Sequence, residues 1–138
     1  KEEEVSIMER FLKNSPMEEL SPVCDKSALL SLQNAVKDVY IHPQLMEYIA
    51  DIVKATRENK SVSIGVSPRG TLAMLSAARS YAIVKGRDYV VPEDIKALCI
   101  PVLAHRIILK GGSADRDAKS VIEEVLSNVF VPTEDWSR

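Results

Sequence analysis

Apolar residues recur at helical spacing through most of the chain, and prolines and glycines cut the pattern into segments. The spacing predicts a first helix from about Glu2 to Lys13, with Val5, Met8 and Leu12 on one face. Ser15 to Leu20 reads as a serine-capped single turn. Leu29, Leu32 and Val36 mark a helix from about Asp25 to Val36. His42 precedes Pro43, which disfavours helix at His42 and suits a start at Pro43. The helix from Pro43 to about Arg57 has the cleanest pattern, with Leu45, Ile49, Ile52, Val53 and Thr56 on one side. A further helix runs from Pro68 to about Lys85 and stops at Gly86, with Leu72, Leu75, Ala78 and Ala82 along one face. Pro92-Glu93-Asp94 opens the next with acid in its first turn, and Pro101 either interrupts it or marks a second start. The last helix spans about Ala118 to Val129.

Between these segments lie short β-prone pieces. Val39-Tyr40-Ile41, Tyr89-Val90-Val91 and Arg106 to Leu109 are candidates for a small sheet, and the piece from His105 to Leu109 could pair with 39–41. Val62-Ser63-Ile64 reads as an extended link, and Lys110 to Asp115 as a flexible turn. The fold class is therefore mainly α, a helical bundle with a very small accessory sheet. Residues 1–131 are expected to form the domain and 132–138 a polar tail.

Composition narrows the function. The 138 residues suffice for one domain with a core, and 46% are hydrophobic, as in globular chains. A net charge of −2 and the lack of a basic stripe argue against nucleic acid as a partner. No apolar run reaches membrane-spanning length, so no membrane insertion is expected. Cys24 and Cys99 belong to no C-x-x-C pair, and His42 and His105 complete no zinc spacing. Idle thiols in a reducing cytoplasm are the expectation. No phosphate-binding loop, nucleophile elbow or zinc-protease helix is present, so no catalytic apparatus is visible. The start, Lys1-Glu2-Glu3-Glu4 without an initiator Met, reads as a cut inside a longer protein.

One stretch points to chemistry. In Gly65-Val66-Ser67-Pro68-Arg69-Gly70-Thr71-Leu72, Ser67 reads as a helix N-cap and Pro68 as the first helical position. Arg69 then falls in the first turn, where the helix dipole is positive and a cation is unfavourable unless an anion faces it. A helix N-terminus with an arginine suits a phosphate or a carboxylate. The plain alternative is an arginine extended into water or paired with a nearby acid.

The segment from Gly65 to Arg79 resembles the C-terminal lid of MoxR-type AAA+ ATPases. Lys85 to Ile95, Pro101 to Leu109 and Ala55-Thr56-Arg57 are similar to the same family, in order and at its spacing. The resemblance implies a helical lid over a nucleotide held in a separate AAA+ core domain. It places Ser67, Pro68 and Arg69 at the nucleotide, with Arg69 as the second-sensor arginine. It also implies ATP and Mg2+ in the full-length parent and none for the isolated fragment. Neighbouring subunits of a ring, commonly a hexamer, and chaperone-like action on an unidentified client protein follow. The chain departs from the family at Val91, where a threonine is common, and a side-chain N-cap is lost. A helical protein-interaction adaptor with no nucleotide role is the competing reading.

Overall fold

In the computed structural model, residues 1–12, 17, 20–111, 117–133 and 136 are described. The chain divides into two units, Lys1–Gln33 and Asn34–Arg138. The first unit holds α1 (Glu2–Phe11) and most of α2 (Lys26–Ala35). Three glutamates lead α1, where the positive end of the dipole favours them. Neither helix buries a residue, and Ile7, Met8, Phe11 and Leu12 are exposed. Of the predicted turn at 15–20, Ser15, Pro16, Glu18 and Glu19 lie outside the described residues.

In the second unit α2 passes into a 3-10 turn, Val36–Asp38, followed by α3 (Pro43–Glu58), β1 (Val62–Ile64), α4 (Pro68–Val84), α5 (Pro92–Leu103), β2 (Ile108–Leu109) and α6 (Ala118–Asn128). Prolines start α3, α4 and α5 as their sequences dictate, since the first helical position needs no N–H. α4 packs against α3 and α5, and α6 against α3 and α5. Their facing sides form one core that includes Leu45, Tyr48, Ile52, Met74, Ile95 and Leu103. All five apolar-face residues predicted for α3 are buried.

On α4, Ala78 and Ala82 of the predicted face are buried, but the buried row continues through Met74 and Gly70 rather than Leu75 and Leu72. Leu72 is 65% exposed. The i, i+4 row of mostly small residues lets α5 approach closely, and the bulkier leucines are displaced from that contact. Two residues past the end of α4, Gly86 with φ of 74° turns the chain back so that the Arg87 N–H reaches the Ala82 carbonyl at 2.9 Å. α5 runs through Pro101 without a break and ends two residues later. Pro101 is exposed, so its missing N–H and its ring are accommodated on the solvent side.

The small sheet differs from expectation. β1 pairs antiparallel with β2, Val62 opposite Leu109 and Ile64 opposite Ile108. The piece 39–41 does not pair with 105–109. Tyr40 instead bridges Tyr89 in parallel, with the Tyr40 N–H on the Asp88 carbonyl at 2.8 Å and the Val90 N–H on the Tyr40 carbonyl at 3.0 Å. Three-residue strands carry too little side-chain pattern to select a register by themselves.

At the start of α5, Val91 has no side-chain acceptor for the first-turn N–H groups, and Asp94 reaches back to the Val91 N–H. Its Oδ2 accepts the Val91 N–H at 3.0 Å, which is half of a capping box.

Candidate functional site

The site is the connection from the end of α3 into α4. α3 ends in Thr56 and Arg57, and β1 carries the chain back past them. Thr56 is fully buried and donates its hydroxyl to the Val53 carbonyl at 2.6 Å. The same oxygen accepts the Val66 N–H at 3.1 Å. Arg57 donates Nε to the Val66 carbonyl at 2.8 Å. Both main-chain polar groups of buried Val66 are thus satisfied by consecutive side chains of α3, as burial requires.

Gly65 permits this approach. A Cβ there would stand 2.7 Å from the Arg57 Cα and 2.8 Å from its backbone nitrogen. A side chain would therefore push the connection off α3. Gly70 serves the other side, because a Cβ there would come within 2.4 Å of Val66 Cγ1 and 3.3 Å of Arg106 Cδ. Arg106 itself is held by a bond from its Nε to the Val102 carbonyl at 2.8 Å. Three arginines are consequently attached to the segment 65–70: Arg57 against Gly65, Arg69 within it, and Arg106 beside Gly70.

Ser67 takes the N-cap position with extended backbone, φ −76° and ψ 165°, but its side chain makes no cap bond. The sequence-based expectation of a serine side-chain cap is corrected here. Pro68 has no N–H, and the Ser67 carbonyl already takes those of Gly70 (2.8 Å) and Thr71 (3.3 Å). The hydroxyl is left without a partner among the described residues. Arg69 is exposed, and no hydrogen bond or ion pair joins it to another described residue. The local alternative of a nearby acid as its partner is thus not realised among them.

The donors on this exposed end are an arginine, a serine hydroxyl and the Arg69 N–H. They suit an oxyanion, and charge-assisted arginine bonds to phosphate are among the strongest available. A metal needs a different set. No group of three or more His, Cys, Asp or Glu able to hold one occurs among the described residues. Beside the site, Met46, Ile49, Thr71, Leu72 and Leu75 line an apolar groove of about 170 Å³.

Other sequence candidates lie elsewhere. His105 is exposed at the foot of α5, and Cys24 and Cys99 are both free thiols. Arg79, further along α4, is structural: its Nε donates to the Val39 carbonyl at 2.9 Å and its Nη2 to the Lys37 carbonyl. The Thr56–Arg57 clamp escaped the residue-level reading. A Thr-Arg pair closing a helix, eight residues before a glycine that follows a β-prone triplet, is the signal that could have disclosed it.

Comparison with known proteins agrees with this architecture. Residues 54–126 match the family model of the AAA lid domain. The chain is 38% identical over 134 residues to the uncharacterized protein YeaC of Bacillus subtilis, covering 96% of this chain and 42% of that protein. It is 34% identical over 142 residues to the chaperone MoxR1 of Mycobacterium tuberculosis, covering 95% of this chain and 37% of that protein. The crystal structure of a "putative ATPase" from Cytophaga hutchinsonii superposes with a TM-score of 0.84 at 29% identity, over 96% of this chain and 44% of that one. The chain spans about two fifths of the length of these relatives. Taken with the helical bundle and its small sheet, these matches show that the chain belongs to the AAA lid domain family, as the lid of a MoxR-type AAA+ ATPase.

Proposed function

We propose that this domain closes over a nucleotide held by the AAA+ core of a longer chain, and that Arg69 senses its β- and γ-phosphates. The supporting observation is Arg69 itself: exposed, without a partner among the described residues, and standing on a helix N-terminus whose approach is fixed from α3. Ser67 and Pro68 complete the nucleotide-facing turn. Pro68 fixes the backbone, and the Ser67 hydroxyl is available as a donor. The planar Arg69 guanidinium offers charge-assisted bonds to phosphate oxygens as charge builds on them, lowering the barrier as well as aiding binding. ATP and Mg2+ belong to the parent, and the donors in this domain fit the phosphates rather than the metal. The parent works in the cytoplasm as a ring, a hexamer in our reading, and couples hydrolysis to chaperone-like remodelling of a client protein.

Steady-state ATPase kinetics on the full-length parent test this. Arg69→Ala should lower turnover by at least about tenfold, a barrier rise of roughly 1.4 kcal/mol, with the circular dichroism spectrum unchanged. Arg69→Lys should recover only part, because a point charge cannot reproduce a planar fork. Lys119→Ala, on the exposed face of α6, is the control. The adaptor reading draws on the apolar groove beside α4, where a partner could dock. It requires Arg69→Ala to be silent, and wild-type turnover by that variant would decide for it.

A further inference from the structure

We infer that Thr56 and Arg57 are positioning residues for Arg69. The inference rests on the nucleotide-sensing reading of Arg69 and adds to it the device that holds the arginine in place.

Val66 lies three residues before Arg69 and is fully buried. Regular strand pairing has already ended at Ile64. A connection of this kind would ordinarily leave its main-chain groups to water, yet the Val66 N–H and carbonyl are both taken from α3, by Thr56 Oγ1 and Arg57 Nε. The Thr56 hydroxyl is itself oriented by its bond to the Val53 carbonyl. Gly65 lies so close to the Arg57 backbone that no Cβ fits between them. Beyond Val66, Pro68 fixes one backbone angle. Val66 Cγ1 then occupies the space that a Cβ on Gly70 would need.

The end of α3, the connection and the first turn of α4 are therefore interlocked at Gly65, Val66 and Gly70. Ser67, Pro68 and Arg69 between them stay exposed and are left to meet a ligand. A charged group that acts at hydrogen-bond range is sensitive to displacements near 1 Å, which can change rate by about a hundredfold. Loosening the grip on Val66 should be felt at Arg69 first.

Thr56→Val removes the hydroxyl while keeping the shape, and Arg57→Met removes the Nε bond from an exposed side chain. Thr56→Ser keeps the hydroxyl and is the conservative rescue. Each is made in the full-length parent, alone and together with Arg69→Ala, and ATP turnover is measured below the thermal midpoint of every variant. We expect Thr56→Val and Arg57→Met each to lower turnover by about tenfold, and Thr56→Ser to restore it to within about twofold. On the Arg69→Ala background the same two changes should cost under about twofold more, because their effect passes through the arginine already removed.

A full further tenfold loss on that background would mean that they act through general stability, and would overturn the inference. Normal turnover in both single variants beside a crippled Arg69→Ala would overturn it too, while leaving the nucleotide reading standing. Wild-type turnover by Arg69→Ala would remove both. Should Thr56→Val fail to fold, Arg57→Met carries the comparison alone, with the same outcomes deciding.

Discussion

Arg87 grips Asp94 with two parallel bonds, Nη1 to Oδ2 at 2.9 Å and Nη2 to Oδ1 at 2.6 Å. Nη1 also donates to the Tyr89 carbonyl at 2.8 Å, and Asp94 Oδ2 accepts the Val91 N–H. One carboxylate therefore ties the α4–α5 turn to the first turn of α5. The Asp94 side chain is 3% exposed and the Arg87 side chain 25%. The bond to Asp94 raises the Arg87 pKa above its ordinary value, with burial opposing. A raised arginine keeps its contribution at every pH below that ordinary value, so the pair is no source of milder alkaline loss. Asp94→Ala leaves a half-buried guanidinium and the Val91 N–H without their acceptor. It should cost about 3 kcal/mol in urea unfolding, and Asp94→Asn, which retains an acceptor for Val91, should cost less.

Alkaline sensitivity should arise instead from Tyr48 and Cys99. Burial pushes the Tyr48 phenol from the ordinary 10.0 to about 12 and the Cys99 thiol from 9.0 to about 12. Both groups are protonated in the fold, whereas the unfolded chain releases their protons at lower pH. Their contribution is complete below pH 9 and is lost as pH rises towards 12. Thermal midpoints should fall over that window. The Tyr48 hydroxyl is buried without a hydrogen-bond partner among the described residues. Tyr48→Phe should therefore be neutral or stabilising near pH 7 and should flatten part of the alkaline fall. A steep loss of stability at neutral pH would count against this.

Gly70→Ala sets two effects against each other. Helix propensity favours alanine by about 1 kcal/mol. The new methyl group would meet Val66 Cγ1 at 2.4 Å in a packed interior, and such overpacking typically costs about 1–3 kcal/mol. Val66 is clamped through its backbone and cannot yield far. We expect net destabilisation of about 1–2 kcal/mol, read as a lower urea midpoint with an unchanged slope.

Arg79→Ala should destabilise the fold. The guanidinium caps the carbonyls of Lys37 and Val39 at the end of the 3-10 turn, and losing charge-assisted bonds of this kind costs about 1–2 kcal/mol. ATP turnover in the folded variant should stay near that of the parent. The midpoint of thermal unfolding separates this residue from Arg69, whose removal should do the reverse.

The helix starts were legible because proline states its preference locally. Pro43, Pro68 and Pro92 each open the helix that their neighbours predict. The α3 face was legible because Leu45, Ile49, Ile52, Val53 and Thr56 keep helical spacing over about three turns. The strand partners were not. Val62–Ile64 reads as a link, yet it pairs with Ile108–Leu109, and strands of two or three residues carry too little pattern to name their partner. On α4, Ala78 and Ala82 lie on the buried face that the pattern predicts, whereas Leu72 and Leu75 give way to Gly70 and Met74. Leucine outranks glycine in any hydrophobic count, but close helix approach selects the small residue. Arg69 could be singled out from Ser67-Pro68 alone. What holds it in place could not, because Thr56 and Arg57 reach Val66 across nine or ten residues of chain.

Trp136, the sole tryptophan, sits edge-on to His42 with ring centroids 5.7 Å apart. His42 in turn accepts the Gln44 N–H and so caps α3. The domain thus contains its own optical gauge. Indole emission can arise from one place only, next to the residue that caps α3. Any event that lifts residue 136 from the head of α3 should appear as a change in intrinsic fluorescence, with no dye attached and no residue replaced.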